Sequence, residues 1–159
     1  MKKLIVYRII KVILVVIMGI WLFDRLSGTK VSKTSFTKMQ SIMVKHVNTK
    51  QTKVGNKQII RRLYGLDPSN YEGIMLYYPS STMSANELLV VKLKSVKDEQ
   101  SVVDLIKARR QSQKNAFKGY GAAQTKLLND SLIEVRGNYI LYVVDENASS
   151  IRDAFVKAL

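Results

Sequence analysis

Arg109 and Gln113 lie four residues apart in the series Val102, Ile106, Arg109, Gln113, Phe117, whose spacing is that of one helical face. A guanidinium and an amide on an otherwise apolar stripe need partners, because burying an unpaired charge or polar group is costly. Glu87, at the start of an apolar run predicted to be a strand, is the natural counter-charge. Two readings follow. In one, Glu87, Arg109 and Gln113 join Tyr120 and Gln124 in a polar pocket that grips a ligand or partner. In the other, they form a structural ion pair that fixes the helix on a sheet.

Little other chemistry is available. The chain of 159 residues has no cysteine and a single histidine. Thiol nucleophiles, disulfides, thiolate metal sites and multi-histidine metal sites are excluded. His46 has no neighbouring acid, no serine sits in a Gly-x-Ser-x-Gly setting, and no glycine-rich phosphate loop is present. Glu72 with Glu87 is the one conceivable carboxylate pair, and spacing alone does not bring them together. No cofactor, metal or catalytic residue is expected.

The charge is uneven. The chain holds 26 Lys and Arg against 12 Asp and Glu, a net charge of +14. Between Arg25 and Leu66 there are ten cations and no acid, whereas Asp67 to Leu159 holds twelve cations and eleven acids. Lys30, Lys33, Lys38, Lys45, Lys50, Lys53, Lys57, Arg61 and Arg62 are therefore the expected contacts to an anionic surface. That surface is a lipid bilayer, an anionic wall polymer or, on the cytoplasmic side, nucleic acid. The last lacks support, since the segment has few aromatics for stacking and no nucleic-acid motif. A merely solvated face is the alternative.

Residues 1–26 read as a membrane anchor. Val12 to Phe23 is an uncharged apolar run preceded by Lys2, Lys3, Arg8 and Lys11, with Trp21 near its end. Twelve helical residues span only about 18 Å. Extension back to Leu4 reaches membrane length, with Arg8 and Lys11 snorkelling. A cleaved signal peptide is the rival, but no convincing small-x-small site follows. Flanking cations are nearly balanced, and the short cationic tail favours an outside C-terminal domain.

Residues 27–56 are expected to form a basic juxtamembrane segment with one amphipathic helix, Phe36, Met39, Met43 and Val47 lying on its apolar face, followed by a polar loop at 48–55. Residues 57–159 are expected to form an α+β domain. A short helix ends at Gly65. Strands follow at 72–78 and 87–94, with Lys92 pointing outward. A long helix runs over 95–118 and a shorter one over 122–128. A hairpin closes at Gly137-Asn138, and a last helix begins near Asn147 or Ser149. The order is strand-strand-helix, twice. It predicts a four-stranded antiparallel sheet with helices on one face.

Across about residues 60 to 156 the chain resembles the bacterial family called domain of unknown function 4358, found mainly in Gram-positive species. The resemblance is carried by Tyr64-Gly65-Leu66, Tyr71-Glu72-Gly73, Tyr78-Pro79, Met83, and Asn86-Glu87-Leu88 followed by Lys92. It continues through Arg109, Gln113, Phe117, Tyr120, Gln124 and Gly137-Asn138-Tyr139. It implies an extracytoplasmic domain behind a lipoprotein or membrane signal. Without a lipid-anchoring cysteine, the anchor here is the helix itself. The family has no established activity to carry over. The expectation is a single-pass cell-envelope accessory or binding protein without chemistry of its own, whose partners are the bilayer, another membrane protein or a wall polymer. The competing classes are an envelope hydrolase or transferase using Glu87 and Arg109, and a cytoplasmic-side nucleic-acid binder.

Overall fold

A computed structural model describes Lys11, Leu14 to Val16, Met18 and residues 31–159. The proposed anchor falls largely outside the described residues, as does Lys30. Among the described residues no helix is long and apolar enough to cross a membrane. Val31–Leu159 forms one compact unit and Met1–Lys30 a separate one.

Local sequence signals set the element boundaries. Ser35 opens helix α1 (Phe36–Met43) by accepting the Lys38 N–H, and a 3-10 turn at Val44–His46 ends it. Strand β1 (Thr52–Val54) precedes helix α2 (Lys57–Tyr64). Asn56 caps α2 by accepting the Ile59 N–H at 2.9 Å. Gly65, at φ +69°, ends it in the left-handed conformation that glycine adopts at least cost. Strands β2 (Gly73–Pro79) and β3 (Glu87–Lys92) lead into the long helix α3 (Glu99–Phe117) and the shorter α4 (Ala122–Asn129). The hairpin of β4 (Leu132–Arg136) and β5 (Tyr139–Val144) turns at Gly137, φ +60°. Helix α5 (Ala148–Ala158) closes the chain; Asn147 precedes it without a capping side-chain bond.

The α+β class and the antiparallel sheet are as expected. The sheet, however, has five strands, in the order β1-β2-β3-β5-β4, not four. The extra strand lies in the segment expected to be loop. Thr52, Lys53 and Val54 pair with Pro79, Tyr78 and Tyr77. An edge strand this short buries only Thr52, so no apolar alternation marks it.

The helices also lie on both faces rather than one. Leu76, Leu89, Val91, Ile140, Tyr142 and Val144 pack with Ile60, Val102, Ile106 and Leu128, from α2, α3 and α4. Met75, Leu88, Val90, Leu141 and Val143 pack with Met39, Met43, Ile151 and Phe155, from α1 and α5. Every residue of β3 and β5 is consequently buried, which explains their nearly unbroken apolar sequences. Lys92, expected outward, is buried on the α1/α5 face. It forms an ion pair with Glu72, and its ammonium lies 5.5 Å from the Tyr139 ring centre.

Residues 31–34 are fixed to the Lys92 end of the sheet. The Ser32 N–H donates to Asn138 Oδ1 at 3.1 Å, Thr34 Oγ1 to the Ala158 carbonyl at 2.9 Å, and the Tyr139 hydroxyl to the Thr34 carbonyl at 2.9 Å. The chain therefore enters this unit at one end of β3, and Glu87 stands at the other.

Candidate functional site

Glu87 begins β3 on the face covered by α2, α3 and α4, and its side chain is fully buried. Four donors converge on it. Arg109 Nη2 lies 2.9 Å from Oε2 and Nε 3.3 Å from Oε1. Gln113 Nε2 donates to Oε2 at 2.8 Å, and the Tyr64 hydroxyl donates to Oε1. Tyr142 extends the network by donating to Gln113 Oε1 at 3.4 Å. Two elements supply the donors to Glu87, the last turn of α2 through Tyr64 and successive turns of α3 through Arg109 and Gln113, and β5 adds Tyr142 behind Gln113. Spacing of four residues puts Arg109 and Gln113 side by side.

The electrostatics follow from burial. Burial raises the Tyr64 hydroxyl well above its ordinary range, and the Glu87 charge pushes it further. Tyr142 is raised for the same two reasons, in the same order. For Arg109, burial works against the cation, but the hydrogen bonds and charge of Glu87 outweigh it and hold the guanidinium charged. Both tyrosines thus remain neutral donors, Tyr64 to Glu87 and Tyr142 to Gln113.

Arg109 and Gln113 also form part of the wall of an open cleft of about 420 Å³. The β2–β3 connection supplies Ser80, Ser81, Thr82 and Ser84 on one side; α3 supplies Ser112, Ala116 and Phe117 on the other. Tyr120 stands at the mouth, 64% exposed, its ring centre 6.0 Å from that of Phe117. The flanking glycines hold it out. Gly119 adopts φ +93°, and a Cβ on Gly121 would fall 2.6 Å from the Phe117 ring. A second cleft of about 680 Å³ shares Phe117 and Tyr120 and is bordered by Lys114, Lys118 and Lys126.

The structure thus brings together Glu87, Arg109 and Gln113, as the sequence implies, and sets Tyr120 at the cleft mouth. Gln124 is placed differently. It accepts the Ala85 N–H at 3.2 Å and so holds the end of the β2–β3 connection, with no hydrogen bond to Glu87. Tyr64 and Tyr142 went unrecognised because a tyrosine at an apolar register position reads as core. The cleft serines belong to no motif that the sequence displays, since those of the β2–β3 connection fall between two expected strands and Ser112 within a helix. Glu72 pairs with Lys92 at the opposite end of β3, so it forms no carboxylate pair with Glu87. His46 is exposed. Among the described residues no group of His, Asp and Glu could hold a metal ion.

Lys33, Lys38, Lys45, Lys50, Lys53, Lys57, Arg61 and Arg62 are all exposed. They lie before and on α1, around β1 and on α2, so they pass from one sheet face to the other around the β1 edge. Arg61 is engaged by Asp67 at 2.9 Å.

The family described as Domain of unknown function (DUF4358) matches residues 43–145, and the chain belongs to it. The match includes the Glu87 network and the cleft. No curated protein and no solved structure matches the chain.

Proposed function

We propose, for this member of the family, a binding module of the bacterial cell envelope that has no chemistry of its own. Residues 1–26 anchor it in the membrane and its α+β domain lies outside. It engages its partner through the cleft walled by Arg109. The observation that carries this reading is the asymmetry of the ion pair. Both Glu87 oxygens are committed to donors and the carboxylate is not on the cleft wall, whereas Arg109 is. A general base must reach the proton it removes, so a hydrolase or transferase using Glu87 lacks its acid-base group. An arginine held from behind is, by contrast, a common device for recognising oxygen acceptors. The apolar run at 12–23 and its cationic flank support the anchor. The exposed cations around the β1 edge suit an anionic bilayer or wall polymer, and another membrane protein is the remaining class of partner.

The lack of cysteine makes a clean test possible. Ser112→Cys places one thiol in the cleft, and Lys157→Cys places one on α5. A membrane-impermeant maleimide added to intact cells is expected to label Lys157→Cys as fast as in purified full-length protein. It should label Ser112→Cys several-fold more slowly in cells than after purification. Absence of labelling at both sites refutes the outside location. Equal rates for Ser112→Cys in cells and after purification refute an occupied cleft.

A further inference from the structure

Arg109 uses only part of its hydrogen-bonding capacity. A guanidinium carries five N–H donors. Here Nε and Nη2 serve Glu87, and Nη1 has no acceptor among the described residues. Among the described residues no buried side-chain nitrogen or oxygen lacks a partner, so Nη1 reaches solvent. The surface that Arg109 lines is the cleft. Its outer edge carries unused, charged donors, in a fixed plane set by the bond to Glu87.

The rest of the lining sets hydroxyl-bearing residues beside the apolar Leu63, Pro79, Ala116 and Phe117, and none of it is acidic. Ser80, Thr82 and Ser112 make no side-chain hydrogen bond to described residues, and the cleft wall holds no carboxylate. The exposed Tyr120 ring offers an apolar face at the mouth. Beyond it, Lys114 and Lys118 stand beside one acid, Asp130, which is already paired with Lys126. The potential next to the cleft is therefore positive, while Arg109 itself is balanced by Glu87.

We infer that the cleft binds an acidic sugar unit, one pyranose-sized group bearing a carboxylate or a phosphate. The acid takes the outer edge of Arg109, the planar match that favours arginine for such groups. The sugar hydroxyls exchange hydrogen bonds with Ser80, Thr82 and Ser112, and an apolar ring face lies on Tyr120. An extended peptide fits less well. Peptides commonly add to an open sheet edge, and the edges here are β1 and β4, whereas the cleft lies at the β2–β3 connection between inner positions.

This inference rests on the proposal that the cleft is the binding site. Its test is calorimetry on the full-length chain with three probes: tetragalacturonate, uncharged galactotetraose, and a galactose 1-phosphate. Tetragalacturonate or the sugar phosphate is expected to bind at least about tenfold more tightly than the neutral sugar. Which of the two binds distinguishes carboxylate from phosphate. Tyr120→Ala, at an exposed position, is expected to weaken binding about tenfold with the fold intact. Arg109→Lys should erase the preference for the acid, since an ammonium lacks the planar fork. Equal binding of acidic and neutral sugars overturns the inference, as does acid binding untouched by both variants, which would mark attraction to surface lysines alone. If no sugar binds while Ser112→Cys stays protected in cells, the ligand class is wrong and the cleft reading survives. If that protection is also missing, the cleft reading falls with it.

Discussion

Removing Arg109 exposes the energetic role of the buried network. Arg109→Ala strips the counter-charge from a carboxylate with no solvent exposure. Deleting one partner of a buried ion pair costs about 3–5 kcal/mol, because the remaining charge is left uncompensated. Glu87 keeps its bonds from Tyr64 and Gln113, and the Arg109 side chain is 16% exposed, so the lower end, about 3 kcal/mol, is expected. Glu87→Gln removes the charge but turns an amide NH₂ toward donors that need an acceptor, at about 2 kcal/mol. Were the sites independent, the double variant would lose about 5 kcal/mol; a shared network predicts about 3, a coupling of about 2 kcal/mol. Urea denaturation of the full-length chain followed by far-ultraviolet circular dichroism measures all four corners. In thermal unfolding, Arg109→Ala should lower Tm by about 6–12 °C for a chain of this length. A loss below about 1 kcal/mol, or additive losses, would refute the claim that this pair is buried and coupled.

Two further outcomes test local geometry. Asp67 accepts the Ser69 N–H at 3.0 Å, then Arg61 and the Ser69 hydroxyl, and these hold its carboxyl down from 3.8 to about 2. Because the folded value is depressed, its contribution to stability is present above pH 3.8 and is lost as pH falls toward 2. A carboxyl carbon NMR titration should show that midpoint. In Arg61→Gln it should rise but stay below 3.8, since the Ser69 N–H is the larger influence; a midpoint at 3.8 in the native chain refutes the geometry. On the opposite face, a Cβ on Gly73 would fall 2.3 Å from the Phe36 ring. Gly73→Ala must displace that ring and shift α1, at about 2 kcal/mol. Unchanged Tm would mean that Phe36 does not seat there.

The parts legible in the sequence were those in which one residue constrains another strongly. A cation on the stripe Val102, Ile106, Arg109 demands a counter-charge, and Glu87 is the acid that begins an apolar strand, so the pair could be read without coordinates. The unbroken apolar run Tyr139 to Val144 is what a strand covered on both faces requires, and β5 lies between β3 and β4. What was lost is what alternation cannot encode. β1 is three residues at an edge, stabilised by pairing with β2 rather than by its own side chains. The helices on the second face come from the chain ends, α1 and α5, whereas strand-strand-helix counting put the helices on one face. Lys92 looked outward because a buried lysine is rare; Glu72 and Tyr139, both distant in sequence, make it tolerable. Tyr64 and Tyr142 fill apolar positions, and only the third dimension shows where their hydroxyls point.

The same network explains why binding need not disturb the fold. Glu87 ties the start of β3 to the end of α2 and, through two turns of α3 and Tyr142, to β5. The guanidinium plane facing the cleft is therefore fixed before any ligand arrives, and little ordering entropy is spent at the floor. The opposite wall differs. Between Ser80 and Ser84 the chain is held mainly by short-range turns, with Ser81 accepting the Met83 N–H, and Gln124 clasps only its end at Ala85. Adaptation to a ligand belongs there. A rigid charged floor with an adjustable hydroxyl wall selects first for an acid that matches the guanidinium, then tolerates variation in what the acid is attached to. Arg109→Lys and loop substitutions should accordingly separate: the former alters which ligands bind, the latter how tightly a given one does.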